Sequence, residues 1–131
     1  MLEQLAQALT AEDAAAVVAT MAEDVTLRVA VHDEPFQGVS AATQILGAVL
    51  DGVLRHIEVV DTIGGSDAAA LMFTAQVANH PGRADGLLVV RPDEGGRIAD
   101  LTVFLRPLAA LQALAEEMGR RLGGPRPDQV A

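Results

Sequence analysis

Four stretches of strand-like sequence, residues 56–63, 69–78, 83–91 and 97–106, follow one another with only a turn between each pair. They end at Gly64-Gly65, at Asn79-His80-Pro81-Gly82, at Pro92-Asp93-Glu94-Gly95-Gly96 and at Pro107. Strands joined by such short connections pair antiparallel, because a parallel pair needs a crossover of a dozen or more residues. The second half of the chain is therefore expected to be an antiparallel meander.

The first half has a different period. Leu2, Leu5 and Leu9 recur at helical spacing, which predicts a short amphipathic helix. Thr10 is a suitable N-cap for a second helix carrying Val17, Val18 and Met21, with Glu12 and Asp13 at its positive end. Val25, Leu27, Val29 and Val31 then alternate with Thr26, Arg28, Ala30 and His32, which predicts a strand with one apolar face. Pro35 and Gly38 punctuate a turn or short edge piece at 32–38. Ser40 is the expected N-cap of a third helix reaching about Leu54, with Ile45, Leu46, Val49, Leu50 and Val53 on one side. Leu108, Leu111, Leu114, Ala115 and Met118 predict a final helix. The reading is one α+β domain over residues 1–122, followed by a flexible Gly- and Pro-rich tail over 123–131.

Composition bounds the chemistry. Among 131 residues there is no Cys, Trp or Tyr and there are three Phe, so the core has to be aliphatic. All nine basic residues are Arg and the formal charge is −9, which disfavours a phosphate-backbone partner. No apolar run approaches the roughly 20 residues of a membrane span, and the first residues lack the pattern of a signal peptide. The expectations are no nucleic acid, no membrane and a cytoplasmic location. His32, His56 and His80 lie at turns or strand ends without metal-ligand spacing, so neither a metal nor a cofactor is expected.

The order helix, helix, strand, turn, helix and antiparallel strands resembles the nuclear-transport-factor-2-like superfamily, SnoaL-like branch, over nearly the whole chain. Met21-Ala22-Glu23-Asp24-Val25 looks like its helix exit into the first strand. Glu34-Pro35-Phe36-Gln37-Gly38 looks like its turn before the third helix, and Gly96-Arg97-Ile98-Ala99-Asp100-Leu101 like its last hairpin. The resemblance implies a cone: a strongly curved antiparallel sheet wrapped around the N-terminal helices, a C-terminal helix, a pocket between sheet and helices, and dimerisation through the outer sheet face.

The branches of that superfamily match this chain unequally. In the ketosteroid isomerases the base is an Asp on the first strand, and that position here falls on Val29; their Tyr donor has no counterpart. The limonene-epoxide-hydrolase branch needs an Asp–Arg–Asp set. The matching strand here reads Phe73-Thr74-Ala75-Gln76-Val77, Arg83-Ala84-Asp85 lies one strand later, and the second Asp position falls near Val103. SnoaL-like cyclases ask only for a pocket acid–base. Asp85 is the candidate, because it shares strand parity with Leu87 and Val89; the competing reading places it at the solvated end of a hairpin, paired with Arg83.

Val29, Val31, Phe36, Leu46, Val49, Phe73, Leu87, Val103 and Leu105 are the candidate binding residues. On the last strand Leu101, Val103 and Leu105 should face the pocket, leaving Asp100, Thr102, Phe104 and Arg106 for a homodimer interface centred near Phe104. Two functions stay open: a pocket protein for a small apolar molecule with acid–base isomerase, cyclase or hydrolase chemistry, and a non-catalytic binding or dimerisation module whose cone is filled by its own side chains.

Overall fold

A computed structural model describes residues 1–122, in the order α1 (Leu2–Thr10), α2 (Ala14–Val18), β1 (Met21–Arg28), β2 (Phe36–Gln37), α3 (Val39–Leu50), β3 (Leu54–Ile63), β4 (Ala69–Val77), β5 (Ala84–Pro92), β6 (Ile98–Arg106) and α4 (Leu108–Arg121). The tail expected at 123–131 lies outside the described residues.

The local chemistry accounts for most boundaries and corrects some. Thr10 closes α1, its hydroxyl donating to the Ala6 carbonyl. Asp13, not Thr10, caps α2, its carboxylate accepting from the Ala16 amide at 3.1 Å. Met21 belongs to β1, so the first strand begins four residues earlier than its alternation suggests and ends at Arg28, before Val29 and Val31. The third helix starts next to Gly38, whose φ of 90° suits a residue without Cβ, and stops at Leu50. Val53 and Leu54 therefore lie beyond it: Val53 is in the connecting turn and Leu54 opens β3.

The six strands form one curved, unclosed sheet in the order β2-β1-β6-β5-β4-β3. β3 to β6 are the expected antiparallel meander. The first strand departs from that pattern. It enters beside β6 and runs parallel to it, with Leu27 opposite Leu101, while β2 pairs antiparallel on its other edge. The intervening helix and hairpins supply the crossover that a parallel pair requires. Register shifts in β3 near Arg55–Glu58 and Val59–Asp61, with His56 at a φ of 52°, are the kind of bulge that bends a sheet.

The strands β4 and β5 bury alternate residues. On β4 these are Ala69, Leu71, Phe73, Ala75 and Val77, and on β5 Ala84, Gly86, Leu88 and Val90. Ala42, Ile45, Leu46 and Leu50 of α3 meet this inner face, with Leu5 and Leu9 of α1 and Leu114 and Met118 of α4 completing the core. Burying one such aliphatic side chain contributes about 1.5–3 kcal/mol, and a core that is almost wholly aliphatic gains this with few polar groups to satisfy.

Candidate functional site

Between the inner sheet face and the helices the core leaves an enclosed cavity of about 70 Å³. α3 supplies Ile45, Leu46, Val49 and Leu50 at spacings that place all four on one helix face. The sheet supplies Leu27, Leu54, Ile57, Phe73, Leu88, Leu101 and Val103, and Val29 and Ala30 continue from the end of β1. Leu9, Val17 and Leu114 close it from α1, α2 and α4. Most of these residues are buried; Val29, Ala30, Val49 and Val103 are partly exposed and mark the side nearest solvent. Every lining side chain is apolar, so the cavity offers a guest contact and desolvation but no hydrogen bond or charge.

A larger open depression, about 400 Å³, lies on the surface between α1 and α2 beside Gln4, Gln7, Asp13 and Thr20. Two of its polar groups already serve the backbone: Asp13 caps α2 and the Thr20 hydroxyl donates to the Val17 carbonyl at 2.7 Å. The enclosed cavity is the stronger candidate, because an apolar guest gains most where water is excluded.

Five candidate binding residues meet there: Val29, Leu46, Val49, Phe73 and Val103. Leu105 is buried on the same face of β6, outside the lining. Phe36 is half-buried on β2, with its ring 5.3 Å from that of His32. Val31 is exposed in the loop after β1. Leu87 projects from the other side of the sheet, opposite Met72 and Phe104.

Asp85 also lies on that other side. Its expected parity with Leu87 and Val89 holds, but that face of β5 is the outer one. Its carboxylate pairs with Arg106, not Arg83, at 2.6 Å, and both side chains are more than half exposed. Arg83 instead donates to the Thr74 hydroxyl and the His56 carbonyl. Asp85 is thus a surface ion-pair partner across the β5–β6 ladder, outside the cavity lining. The reason is local: Leu87-Leu88-Val89-Val90 is apolar in both parities, so alternation does not say which set faces the core.

Glu117 on α4 lies beside two arginines of the same helix. Hydrogen bonds from Arg121 and then Arg120 hold its carboxyl below the usual range. Among the described residues no cluster of three or more His, Asp or Glu forms a metal site, and no helix is long and apolar enough to cross a membrane.

The lining residues that alternation overlooks come from elements meeting only in three dimensions: Leu9, Val17 and Leu114 from helices, and Leu88 from the ambiguous strand. Leu27 and Leu101 share parity with Val29 and Val103, so their signal was present.

The family model for the SnoaL-like domain matches residues 2–101. In structure the chain is similar to a bacterially conserved protein with a cystatin-like fold from Silicibacter pomeroyi. The TM-score is 0.85 at 24% identity, covering 95% of this chain and 86% of that one. It is also similar to a steroid delta-isomerase from Pseudomonas aeruginosa, at a TM-score of 0.82 and 29% identity, covering 93% and 88%. The epoxide hydrolase/cyclase-like enzyme SalBIII, of pyran ring formation in salinomycin, follows at a TM-score of 0.66 and 18% identity, covering 80% and 87%. No curated protein matches the chain.

Proposed function

From the premise that the chain belongs to the SnoaL-like family, we propose that it is a pocket protein that takes up a small, uncharged, apolar molecule. The observation that carries this reading is the enclosed cavity under α3, lined entirely by apolar side chains. Such a surface favours a guest that needs no hydrogen bond, since a polar group placed there loses its water partners without replacement. The volume is about half of the roughly 150 Å³ that holds benzene in an engineered apolar cavity. A guest of that size or larger therefore enters by displacing the partly exposed side of the lining, Val29, Ala30, Val49 and Val103.

The test is thermal melting with neutral hydrocarbons of increasing size, from benzene to a monoterpene. A guest at a hundred times its Kd adds about 2.7 kcal/mol to stability, which for a domain of this size raises Tm by several degrees. Absence of any shift across the series overturns the reading. Val49→Glu should abolish the shift by placing a charge in the lining.

A second reading is a proton-transfer enzyme, favoured by the 29% identity to the steroid delta-isomerase. It needs a titratable group in reach of the guest, and no cavity-lining side chain provides one. Turnover in a steroid isomerisation assay would establish it over the binding reading.

The same proposal includes a homodimer through the outer sheet face, working in the cytoplasm. Its support is a row of apolar side chains across three strands, Met72, Leu87 and Phe104, adjacent in register. Phe104 is 51% exposed and Met72 39%. The ion pairs Asp85–Arg106 and Arg28–Asp100 lie on the same face. An apolar centre with both charge signs at its rim is the composition of a self-complementary interface.

A further inference from the structure

Gly86 has no backbone reason to be glycine. It lies within β5, paired opposite Phe73 of β4, and it is absent from the positions with positive φ. In such a place glycine weakens a strand, because it loses more chain entropy than alanine and packs nothing.

The reason is the ring opposite. A Cβ on Gly86 would stand 2.5 Å from Cε2 and 2.6 Å from Cε1 of Phe73, and nearer still to Cζ. Ordinary carbon contacts are about 3.5–4.0 Å. The tip of the ring therefore rests against the bare Cα of Gly86, on the wall of the sheet. Phe73 is 3% exposed and lines the cavity. A ring lifted off that wall has the cavity as its adjoining free space.

We infer that the Phe73–Gly86 pair sets the capacity of the interior cavity: the missing side chain at 86 holds the ring against the sheet and leaves the lumen open to a guest. The inference rests on the reading of the cavity as a binding site for apolar molecules. It assigns Phe73 and Gly86 as its size-determining residues.

The experiment uses the 131-residue chain, xenon under pressure as the probe, and methyl chemical shifts as the binding signal. Four proteins are compared: wild type, Gly86→Ala, Phe73→Leu, and the double variant. Gly86→Ala should lower xenon affinity by at least about tenfold, or about 1.4 kcal/mol, because the displaced ring occupies the space. The double variant should recover it, since leucine has no ring tip to displace.

Melting temperature supplies a second arm that needs no guest. Gly86→Ala should lower Tm when residue 73 is phenylalanine, and leave it unchanged or raise it in the Phe73→Leu background, where the added methyl only stiffens the strand. Wild-type xenon affinity in Gly86→Ala, or an equal fall of Tm in both backgrounds, overturns the inference. A wild type that ignores xenon counts against the binding reading of the cavity, and the Tm arm then decides the Phe73–Gly86 coupling by itself. An insoluble Gly86→Ala rescued by Phe73→Leu supports the pair; one that is not rescued overturns it.

Discussion

The two faces of one sheet carry similar side chains to different ends. The inner face presents Leu71, Phe73, Leu88, Val90, Leu101 and Leu105, all buried under helices. The outer face presents Met72, Leu87, Val89 and Phe104, also apolar, with no element of the chain over them among the described residues. What separates the two is the company they keep. On the inner side no charge interrupts the lining. On the outer side Asp85, Arg106, Arg28 and Asp100 form paired charges around the apolar row. A face sealed within the monomer tolerates no unpaired polar group, whereas a face that spends time in water keeps charges for solubility and for orienting a partner.

The largest effect that would break this contrast is on the inner side. Leu27→Asp places a carboxylate where the native side chain is fully buried. Loss of the aliphatic contacts and burial of a charge should together cost about 4 kcal/mol or more, leaving the variant unfolded or nearly so in a urea titration. Leu87→Asp, on the opposite face of the same sheet, should leave the unfolding midpoint of the monomer nearly unchanged. If both variants unfold alike, the distinction between the faces fails.

Next in size is the outer face. Phe104→Asp should weaken self-association by about 2 kcal/mol or more, roughly 30-fold in Kd, as expected at the centre of an interface. Light scattering at micromolar concentration should show monomer for the variant and dimer for the wild type. A wild type that is monomeric, or a variant that stays dimeric, removes the interface from this face.

Asp85→Asn sharpens the comparison from below. It breaks one exposed ion pair, worth about 0–1 kcal/mol, and should leave apolar-guest binding as in the wild type. Loss of guest binding on this change would return Asp85 to the site.

The smallest effect is in α4. Glu117 is held below its usual carboxylate range by Arg121 and Arg120, and Arg121 also donates to the Asp51 carbonyl, joining the end of α4 to the turn after α3. A carboxyl with a lowered folded-state pKa stabilises above its unfolded pKa, and that contribution is lost as pH falls through the lowered value. Melting curves should therefore show a small acid-side loss of stability that is absent in Glu117→Gln. The group sits at the surface and is partly accessible to solvent, so salt should reduce the difference.

How far the sequence could be read differs between neighbouring strands. On β6 one parity is Leu101, Val103 and Leu105 and the other is Asp100, Thr102, Phe104 and Arg106. The contrast is strong, and the structure places the first set inward. On β5 both parities are apolar after Asp85, so assigning Leu87 and Asp85 to the pocket had no physical discriminator. Where both parities of a strand are apolar, alternation states which residues share a face without stating which face is inside.

The α+β character, the meander from β3 to β6, the two N-terminal helices, α3, α4 and the aliphatic core follow from periodicity and turn chemistry. Those are local properties, fixed by side-chain spacing along the backbone. Three matters belong to the tertiary structure: the parallel seating of β1 on β6, the helices Leu9, Val17 and Leu114 come from in closing the cavity, and the inward side of β5. Each depends on which distant surfaces come together and exclude water, and the burial that decides it is summed over the whole core and not along any one segment.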